Sequence, residues 1–513
     1  MEKNGKNGVG KLVLRARCFD VVTEKKIVVL NERDAVNNDI YAGHRIILTL
    51  GERQMVAIAD LSNRLVAAGE IGLFSEVAAE IGVRDGEEIE VKQTERPASI
   101  ESIKKKMDGK TLSEGEIGTI IHELMENKLS EAELAAFLTS IYIRGVTDDE
   151  VVSLTNAIVA SGDTLKLGKH PILDKHCIGG VAGNRTTMIM VPIIAAAGLY
   201  IPKTSSRSIT SAAGTADTME VLAPVNLGLN EIREIVLKTK GCMAWGGSVN
   251  LAAADDKLIR IRHPLSLDPK GLLLASILAK KKSVGADYCV IDIPIGRGAK
   301  ITDPKEANTL AKDFIGIGRK LGIGIEVLVT DGSDPVGNGI GPALECRDVV
   351  EVLTGGGPAD LKEKSCTLAG TLLELSGKVE IGRGYDVAMD LLKGGKAEKK
   401  FREIVEAQGG KADFKIDDLP IGGYWHKVVS TGTGRIKHVD SRLLARIARS
   451  AGAPSDKGAG VFLHCEAGDK IQKGDVMFEI IAESESKLDF AIKVAHSIEA
   501  IELEKVVLRE FRE

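Results

Sequence analysis

The sequence predicts a multidomain α/β protein. We expect a small β-rich, barrel-like N-terminal domain, a helical domain, a central α/β domain with a mixed sheet, and a β-rich C-terminal domain. Three observations support that order. A chain of 513 residues exceeds what one hydrophobic core organises, and an apolar content of 44% can fill several. Short β-branched runs dominate both ends. Between them, capped helices give way to apolar stretches that alternate with glycine turns. We place the boundaries at residues 1–92, 99–165, 168–415 and 421–513, with helices near 230–285 joining the helical domain.

The N-terminal expectation rests on the runs Leu12–Leu14, Lys26–Leu30, Arg45–Leu48 and Val56–Ala59, each bounded by Gly, Asn or Asp. Ser75–Ile81 reads as a short helix with Ser75 as its N-cap. A turn at residues 82–86 precedes a strand over Glu88–Val91, and Thr94–Pro97 reads as a linker that Pro97 keeps from becoming helical. Three capping boxes follow: Ser113 with Glu116, Ser130 with Glu133, and Thr147 with Glu150. Ile120, Ile121, Leu124 and Met125, then Leu134, Phe137, Leu138 and Ile141, recur at helical spacing. A bundle of three antiparallel helices is expected. From Leu173 on, the apolar stretches Met188–Leu199, Val221–Ala223, Ala286–Ile293 and Ile325–Val329 alternate with glycine turns, as a buried sheet flanked by helices requires. Beyond Ile421, Gly432–Gly434 and Gly468–Asp475 punctuate short strands. The latter pattern resembles lipoyl-type hairpins, but no lysine stands at a matching hairpin position, so it reads as plain β-structure.

Composition narrows the function. The net charge of -5 comes from 68 basic and 73 acidic side chains, and aromatics are only 4%. This is neither the basic footprint nor the stacking platform of a nucleic-acid binder. Seven scattered cysteines form no CxxC and no zinc spacing, which points to free thiols in a reducing compartment. The polar stretch Met1–Lys11 does not read as a signal peptide. The longest apolar run, Met188–Ile201, contains Pro192 and falls short of the roughly 20 residues of a membrane span. We expect a cytoplasmic protein that meets neither nucleic acid nor membrane.

The densest chemistry lies between Asp174 and Asp217. Lys175-His176-Cys177-Ile178-Gly179-Gly180 combines a compact cation with glycines that let backbone N–H groups approach an anion, ahead of an apolar segment whose helical N-terminus would face it. A plain glycine turn before a buried helix fits the same residues. It is not a Walker A loop, because the GK[ST] ending is absent. Lys203–Thr215 surrounds Arg207 with the hydroxyls of Ser205, Ser206, Ser208, Thr210, Ser211 and Thr215. Arginine can grip a phosphate with two parallel N–H bonds; a solvated Ser/Thr loop with helix caps is the competing reading. Asp268-Pro269 reads by itself as an N-cap with Pro at N1. Ser276 and Lys280 share a face of the helix that follows. Lys300 ends a glycine-rich turn.

KHCIGG, KTSSR…AGTAD and SLDPKGLLLASILAKK, in that order, resemble the thymidine/pyrimidine nucleoside phosphorylase family, over nearly the whole chain. SSRxITS in place of a glycine-rich loop, and the extra N-terminal domain, are similar to its archaeal-type, AMP-cleaving branch. The resemblance implies phosphorolysis of nucleoside 5'-monophosphates (AMP, also CMP and UMP) to free base and ribose 1,5-bisphosphate, in AMP catabolism and nucleotide salvage. It implies that Gly180, Ser206, Arg207, Ser208, Ile209, Thr210, Ser211 and Thr215 contact the nucleotide or phosphate, that Ser276 and Lys300 hold the substrate, and that Asp268 is the proton donor. Lys175, Ser205 and Thr187, with Thr215, fall to the attacking phosphate; Arg207 and the hydroxyls after it fall to the 5'-phosphate. His176, Cys177 and Lys280 are further candidates. It implies no cofactor or metal, inorganic phosphate as co-substrate, and a homodimer or larger homo-oligomer. Two departures stand out. Cys177 replaces a phosphate-binding Ser with a weaker donor. The base-binding Arg of the pyrimidine enzymes falls on Ile261, between Arg260 and Arg262, which argues against thymidine. A pyrimidine or thymidine nucleoside phosphorylase, a phosphoribosyltransferase of the anthranilate type, and a non-catalytic nucleotide sensor or scaffold are the alternatives.

Overall fold

The computed structural model describes residues 12–23, 26–94, 97–208, 211–265 and 267–504. The chain forms two compact units: Met1–Val146 with Ala254–Pro269, and Thr147–Ala253 with Lys270–Glu513.

The first unit begins with a closed six-stranded barrel. Its strands are β1 (Leu12–Phe19), β2 (Ile27–Leu30), β3 (Arg45–Leu50), β4 (Arg53–Leu61), β5 (Glu70–Phe74) and β6 (Glu88–Gln93), in the order β1-β5-β2-β4-β3-β6. Inward positions alternate with outward ones, and Leu14, Ala16, Val28, Ile46, Leu48, Ala57 and Ile71 fill the interior. On the outer face of β5, between the inward Ile71 and Leu73, a Cβ on Gly72 would lie 2.8 Å from the Phe19 ring. Helices α1 (Glu32–Asn37) and α2 (Ser75–Ile81) join strands; Phe74 is the N-cap of α2, one residue before the expected Ser75, which lies inside the helix. Helices α3 (Ser99–Met107), α4 (Glu114–Met125) and α5 (Glu131–Arg144) follow, and the capping boxes of Ser113 and Ser130 are both formed. No side chain of its own N-cap residue caps α3. The buried Glu123 carboxylate of α4 accepts the Ala98 and Ser99 N–H groups instead, at 2.9 and 3.0 Å.

The second unit opens with α6 (Asp148–Ala160), whose Thr147 capping box is also formed. The central sheet then runs through β7 (Leu173–Cys177), α7 (Thr186–Ala196), β8 (Ile201–Ser205), α8 (Thr215–Met219), α9 (Leu229–Thr239) and β9 (Gly241–Trp245). Helix α10 (Ala253–Arg262) clusters with the first unit, where Lys257 Nζ donates to the Leu124 and Met125 carbonyls ending α4, at 3.2 and 3.1 Å. The chain returns as α11 (Lys270–Ser283), which packs on α6, then β10 (Tyr288–Ile295), α12 (Pro304–Leu321) and β11 (Gly324–Asp331). Strands order as β11-β10-β7, and a bridge from Ile172 to Tyr200 leads on to β8-β9. We expected a mixed sheet, but every pairing among these five strands is parallel, because each connection between neighbours crosses over through helices. Val221–Ala223, expected to contribute to the sheet, forms a turn after α8, whereas β8 and β9 arise from segments whose apolar runs are short.

Helices α13 (Pro342–Leu353), α14 (Ala359–Leu375), α15 (Gly384–Lys393) and α16 (Lys396–Ala407) follow the short β12 (Gly339–Ile340). With α7 they build an extensive core, around Met188, Ile189, Ile193, Leu368, Leu372 and Phe401. Apolar on all sides, α7 is enclosed, and it continues through Pro192. The remaining residues form β13 (Tyr424–Val429), β14 (Gly434–Val439), α17 (Ser441–Ser450), β15 (Gly460–Leu463), β16 (Lys470–Ile471), β17 (Val476–Ala482), α18 (Glu485–His496) and β18 (Ile501–Leu503). Their sheets are antiparallel, and β12 pairs with β15. No described helix is long and apolar enough to cross a membrane.

Replacing Glu123 with Ala leaves two backbone donors at the start of α3 without their acceptor. We expect a loss of about 1–3 kcal/mol, read as a lower urea midpoint for the transition of the first unit.

Candidate active site

The parallel sheet fixes where a ligand belongs. The chain proceeds from β7 to β8 and β9 on one side, and β10 and β11 lie on the other. The crevice beyond the carboxyl ends of β7 and β10 is therefore a topological switch point, the place where open α/β sheets bind ligands. The loop after β7 carries Gly179 and Gly180 at φ +94° and +95°. A Cβ on Gly180 would lie 2.4 Å from the Lys300 backbone N, so glycine is what allows the loops after β7 and β10 to touch. Arg442 of α17 fixes the second loop by donating to the Gly298 and Ala299 carbonyls at 2.8 and 2.9 Å.

Lys175 is buried, and its Nζ donates to Thr186 Oγ1 at 3.0 Å. The Thr186 hydroxyl donates to Asn184 Oδ1 at 3.2 Å, and Asn184 Nδ2 reaches Cys177 Sγ at 3.5 Å. Thr186 and Thr187 open α7, whose N-cap residue Arg185 supplies no side-chain acceptor. Its first-turn N–H groups and dipole therefore face the crevice beside a lysine, an arrangement made for an anion. Burial would raise the Asp292 carboxyl, but Lys175 and Lys364, with the Thr330 hydroxyl at 2.6 Å, hold it below the ordinary carboxylate range. Burial, with Asp292 adding to it, pushes the Cys177 thiol up to about 11, which disfavours the thiolate. Burial and the surrounding lysines lower the His176 imidazole well below its ordinary value.

The loop after β8 is organised by a residue the sequence reading passed over. Asp217 accepts the Ser208 N–H at 2.7 Å, the Gly214 N–H at 2.8 Å and Arg207 Nη1 at 3.2 Å. This draws the loop ends so close that a Cβ on Gly214 would lie 2.5 Å from the Ser206 carbonyl O. Ser208 Oγ donates to the Ser211 carbonyl, Ser211 Oγ reaches the Ala213 carbonyl at 3.0 Å, and Ser205 Oγ lies 3.4 Å from the Ala244 carbonyl. Arg207 stacks on Trp245 with 5.0 Å to the ring centroid and reaches Glu220 with both terminal nitrogens, at 2.7 and 2.6 Å. Its guanidinium holds the Glu220 carboxyl down to about 2, and Lys457 assists at 2.8 Å. A phosphate arriving at Arg207 would compete with that carboxylate. Thr215 accepts from Arg185 Nη1 at 3.0 Å, and Arg185 in turn pairs with the buried Glu345.

Behind the crevice, Asp174 is buried between Lys281 and Lys203, the latter at 3.3 Å. Burial, opposed by Asp174, lowers the Lys203 ammonium to about 8. Ser276 is buried on α11, which also carries Lys280. Asp268 lies in the first unit, where Arg262 Nη1 donates to it at 2.6 Å; this occupies one of the two arginines flanking Ile261. Ile209 and Thr210 fall outside the described residues. The structure thus brings Lys175, Cys177, Gly180, Thr187 and the Lys300 backbone to one switch point, and Ser205, Arg207, Ser208, Ser211 and Thr215 to the segment from the end of β8 to the start of α8. Asn184, Arg185, Thr186, Asp217, Glu220, Asp292 and Glu345 were missed. Only Asp217 had a signal, within the AGTAD motif.

This fold and paired-loop arrangement define a glycosyl transferase of the family whose models match here: the helical bundle domain over residues 100–162 and the a/b domain over residues 169–398. The pyrimidine nucleoside phosphorylase C-terminal domain matches residues 435–502. Anthranilate phosphoribosyltransferase from Thermus thermophilus has the same fold over 60% of this chain and 99% of its own, with a TM-score of 0.51 at 19% identity. Relatives resolve the family further. AMP phosphorylase of Pyrococcus furiosus is 45% identical, covering 96% of this chain and 98% of its own. AMP phosphorylase 1 of Archaeoglobus fulgidus is 45% identical over 94% and 96%, and AMP phosphorylase of Methanosarcina barkeri 44% over 97% and 98%. The chain belongs to the AMP phosphorylase family.

Lys203 makes folding pH-dependent. Between about 8 and the ordinary lysine value of 10.5 the unfolded chain binds the extra proton, so this group's contribution to stability rises with pH across that window. Urea unfolding of the native chain and of Lys203→Met at pH 7.5, 8.5 and 9.5 should show the native chain gaining relative to the variant, by roughly 1–3 kcal/mol over the window. A flat difference would place the lysine outside the buried pair.

Proposed function

We propose that this chain catalyses phosphorolysis of AMP, with CMP and UMP as further substrates, yielding free base and ribose 1,5-bisphosphate. One observation carries the reading: two anion-competent loops, joined by Arg185, lie in a chain that is 45% identical, along 96% of its length, to an AMP phosphorylase. A phosphorolytic reaction on a nucleotide needs two phosphate sites, one for the attacking phosphate and one for the 5'-phosphate. Lys175, Ser205, Thr187 and Thr215 are assigned to the attacking phosphate. Arg207, the hydroxyls after it and Gly180 are assigned to the nucleotide, with Ser276 and Lys300 on the substrate.

Attack at C1' builds positive charge on the ribose and negative charge on the departing base. The incoming phosphate offsets the first. A positioned acid neutralises the second, an effect of typically 10²- to 10⁴-fold. Asp268 is assigned that role through the SLDP motif. The reaction uses phosphate as co-substrate and no cofactor. We place the enzyme in the cytoplasm as a homodimer or larger homo-oligomer.

A second reading, a phosphorylase of unphosphorylated nucleosides, is favoured by the grip of Glu220 and Asp217 on Arg207. Adenine release measured with phosphate separates the two. We expect release from AMP and little from adenosine; release from adenosine alone would select the second reading. Asp268→Asn should retain AMP binding and lose turnover by roughly 10²-fold or more, and native-like rates would remove it as proton donor. Arg207→Ala should raise KM for AMP more than for adenosine, and equal changes would move Arg207 off the 5'-phosphate.

A further inference from the structure

We infer that Arg185 is a positioning residue for phosphate: it sets the second anion-binding loop against the first without touching substrate. The inference rests on the reading of Thr215 as a phosphate ligand. Arg185 ends the loop after β7 and immediately precedes Thr186 and Thr187. Its guanidinium spans to the other loop, donating through Nη1 to Thr215 Oγ1 at 3.0 Å and through Nη2 to the Ala213 carbonyl at 2.9 Å. Its Nε is paired with Glu345 of α13. One planar group therefore joins both loops and a core helix, and its fork fixes their separation as a flexible ammonium would not.

The surroundings show that the pair is built in. The Arg185 and Glu345 side chains are 10% and 1% exposed. Glu345 has partners on both oxygens besides Arg185: the Gly341 N–H at 3.2 Å and, at 3.2 Å, the Thr218 hydroxyl, which it shares with the Gly214 carbonyl at 3.1 Å. Neither charge could remain there without the other, because burying an unpaired ion is prohibitive. The bond to Thr215 has a chemical consequence. A hydroxyl has one hydrogen and two lone pairs. With Arg185 donating into a lone pair, the Thr215 hydrogen is left to donate, and the rotor is biased toward presenting it to an anion. Arg185 thus supplies Thr215's orientation and a fixed positive charge behind the hydroxyl.

Phosphate KM and kcat, measured with saturating AMP in native chain, Thr215→Val, Arg185→Lys and the double variant, test this. Thr215→Val should raise phosphate KM roughly tenfold to a hundredfold, the equivalent of one charge-assisted hydrogen bond. Arg185→Lys should raise it comparably with a smaller change in kcat, and the double variant should be no worse than Thr215→Val alone. Multiplying effects, or a fall in kcat with phosphate KM unmoved, would overturn the inference. If Thr215→Val leaves phosphate KM unchanged, the reading of Thr215 fails and the inference falls with it, a result distinct from multiplying effects. If Arg185→Lys does not fold, Thr218→Val replaces it in the cycle: it removes the hydroxyl that Glu345 shares with the Gly214 carbonyl, and a smaller rise that vanishes on the Thr215→Val background supports the inference, whereas an unchanged phosphate KM overturns it.

Discussion

Parallel pairing of β7 with β10, which sets Leu173–Cys177 against Tyr288–Asp292, is the constraint on which the rest of the molecule depends. It places two strand ends side by side whose following loops run to opposite sides of the sheet. Whatever those loops carry must converge. The approach is close enough that Gly180 lies against the Lys300 backbone, and any side chain at that position would push the loops apart. The loop after β8 is drawn in by Asp217 and Arg185, so these groups are assembled by backbone contacts and short ion pairs.

Buried charge is the second theme of the larger unit. Asp174 sits between Lys203 and Lys281, Asp292 faces Lys175 and Lys364, and Glu345 faces Arg185. Each acid lies in or behind the crevice with at least one cation. Such pairs contribute little net stability, because desolvation offsets their attraction. Their effect here is on placement. Cations held by buried acids keep fixed positions, and where two cations share one acid the local charge stays positive, as an anion site needs. Residues beyond β14 add to this: Lys457 meets Glu220, and Arg442 of α17 holds the loop carrying Lys300.

Legibility followed range. The Ser113, Ser130 and Thr147 caps were readable because a capping box is a contact between residues three apart, and β1 to β4 and β6 because β-branched runs between turn residues are local; β5 was not read as a strand. Strands β8 and β9 were not. Five-residue strands enclosed by helices carry no periodicity, and Val221–Ala223 is as apolar as they are yet turns. The site divides in the same way. Lys175, Gly180, Arg207 and Thr215 stood out because charge, glycine and hydroxyl density are local. Arg185 and Glu345, 160 positions apart, looked like a loop arginine and a helix glutamate.

The sequence by itself therefore determined the order of domains, the capped helices, and the presence of two anion-competent loops, since propensity, capping and composition act within a few residues. Tertiary structure alone decided that the sheet is parallel, that the loops after β7 and β10 converge, that Arg207 is gripped by Glu220, and that Arg185 joins two loops through Thr215. Those outcomes depend on strand order and on which distant charges share a desolvated space. Only the folded chain brings those residues within the few ångströms over which hydrogen bonds and buried ion pairs act.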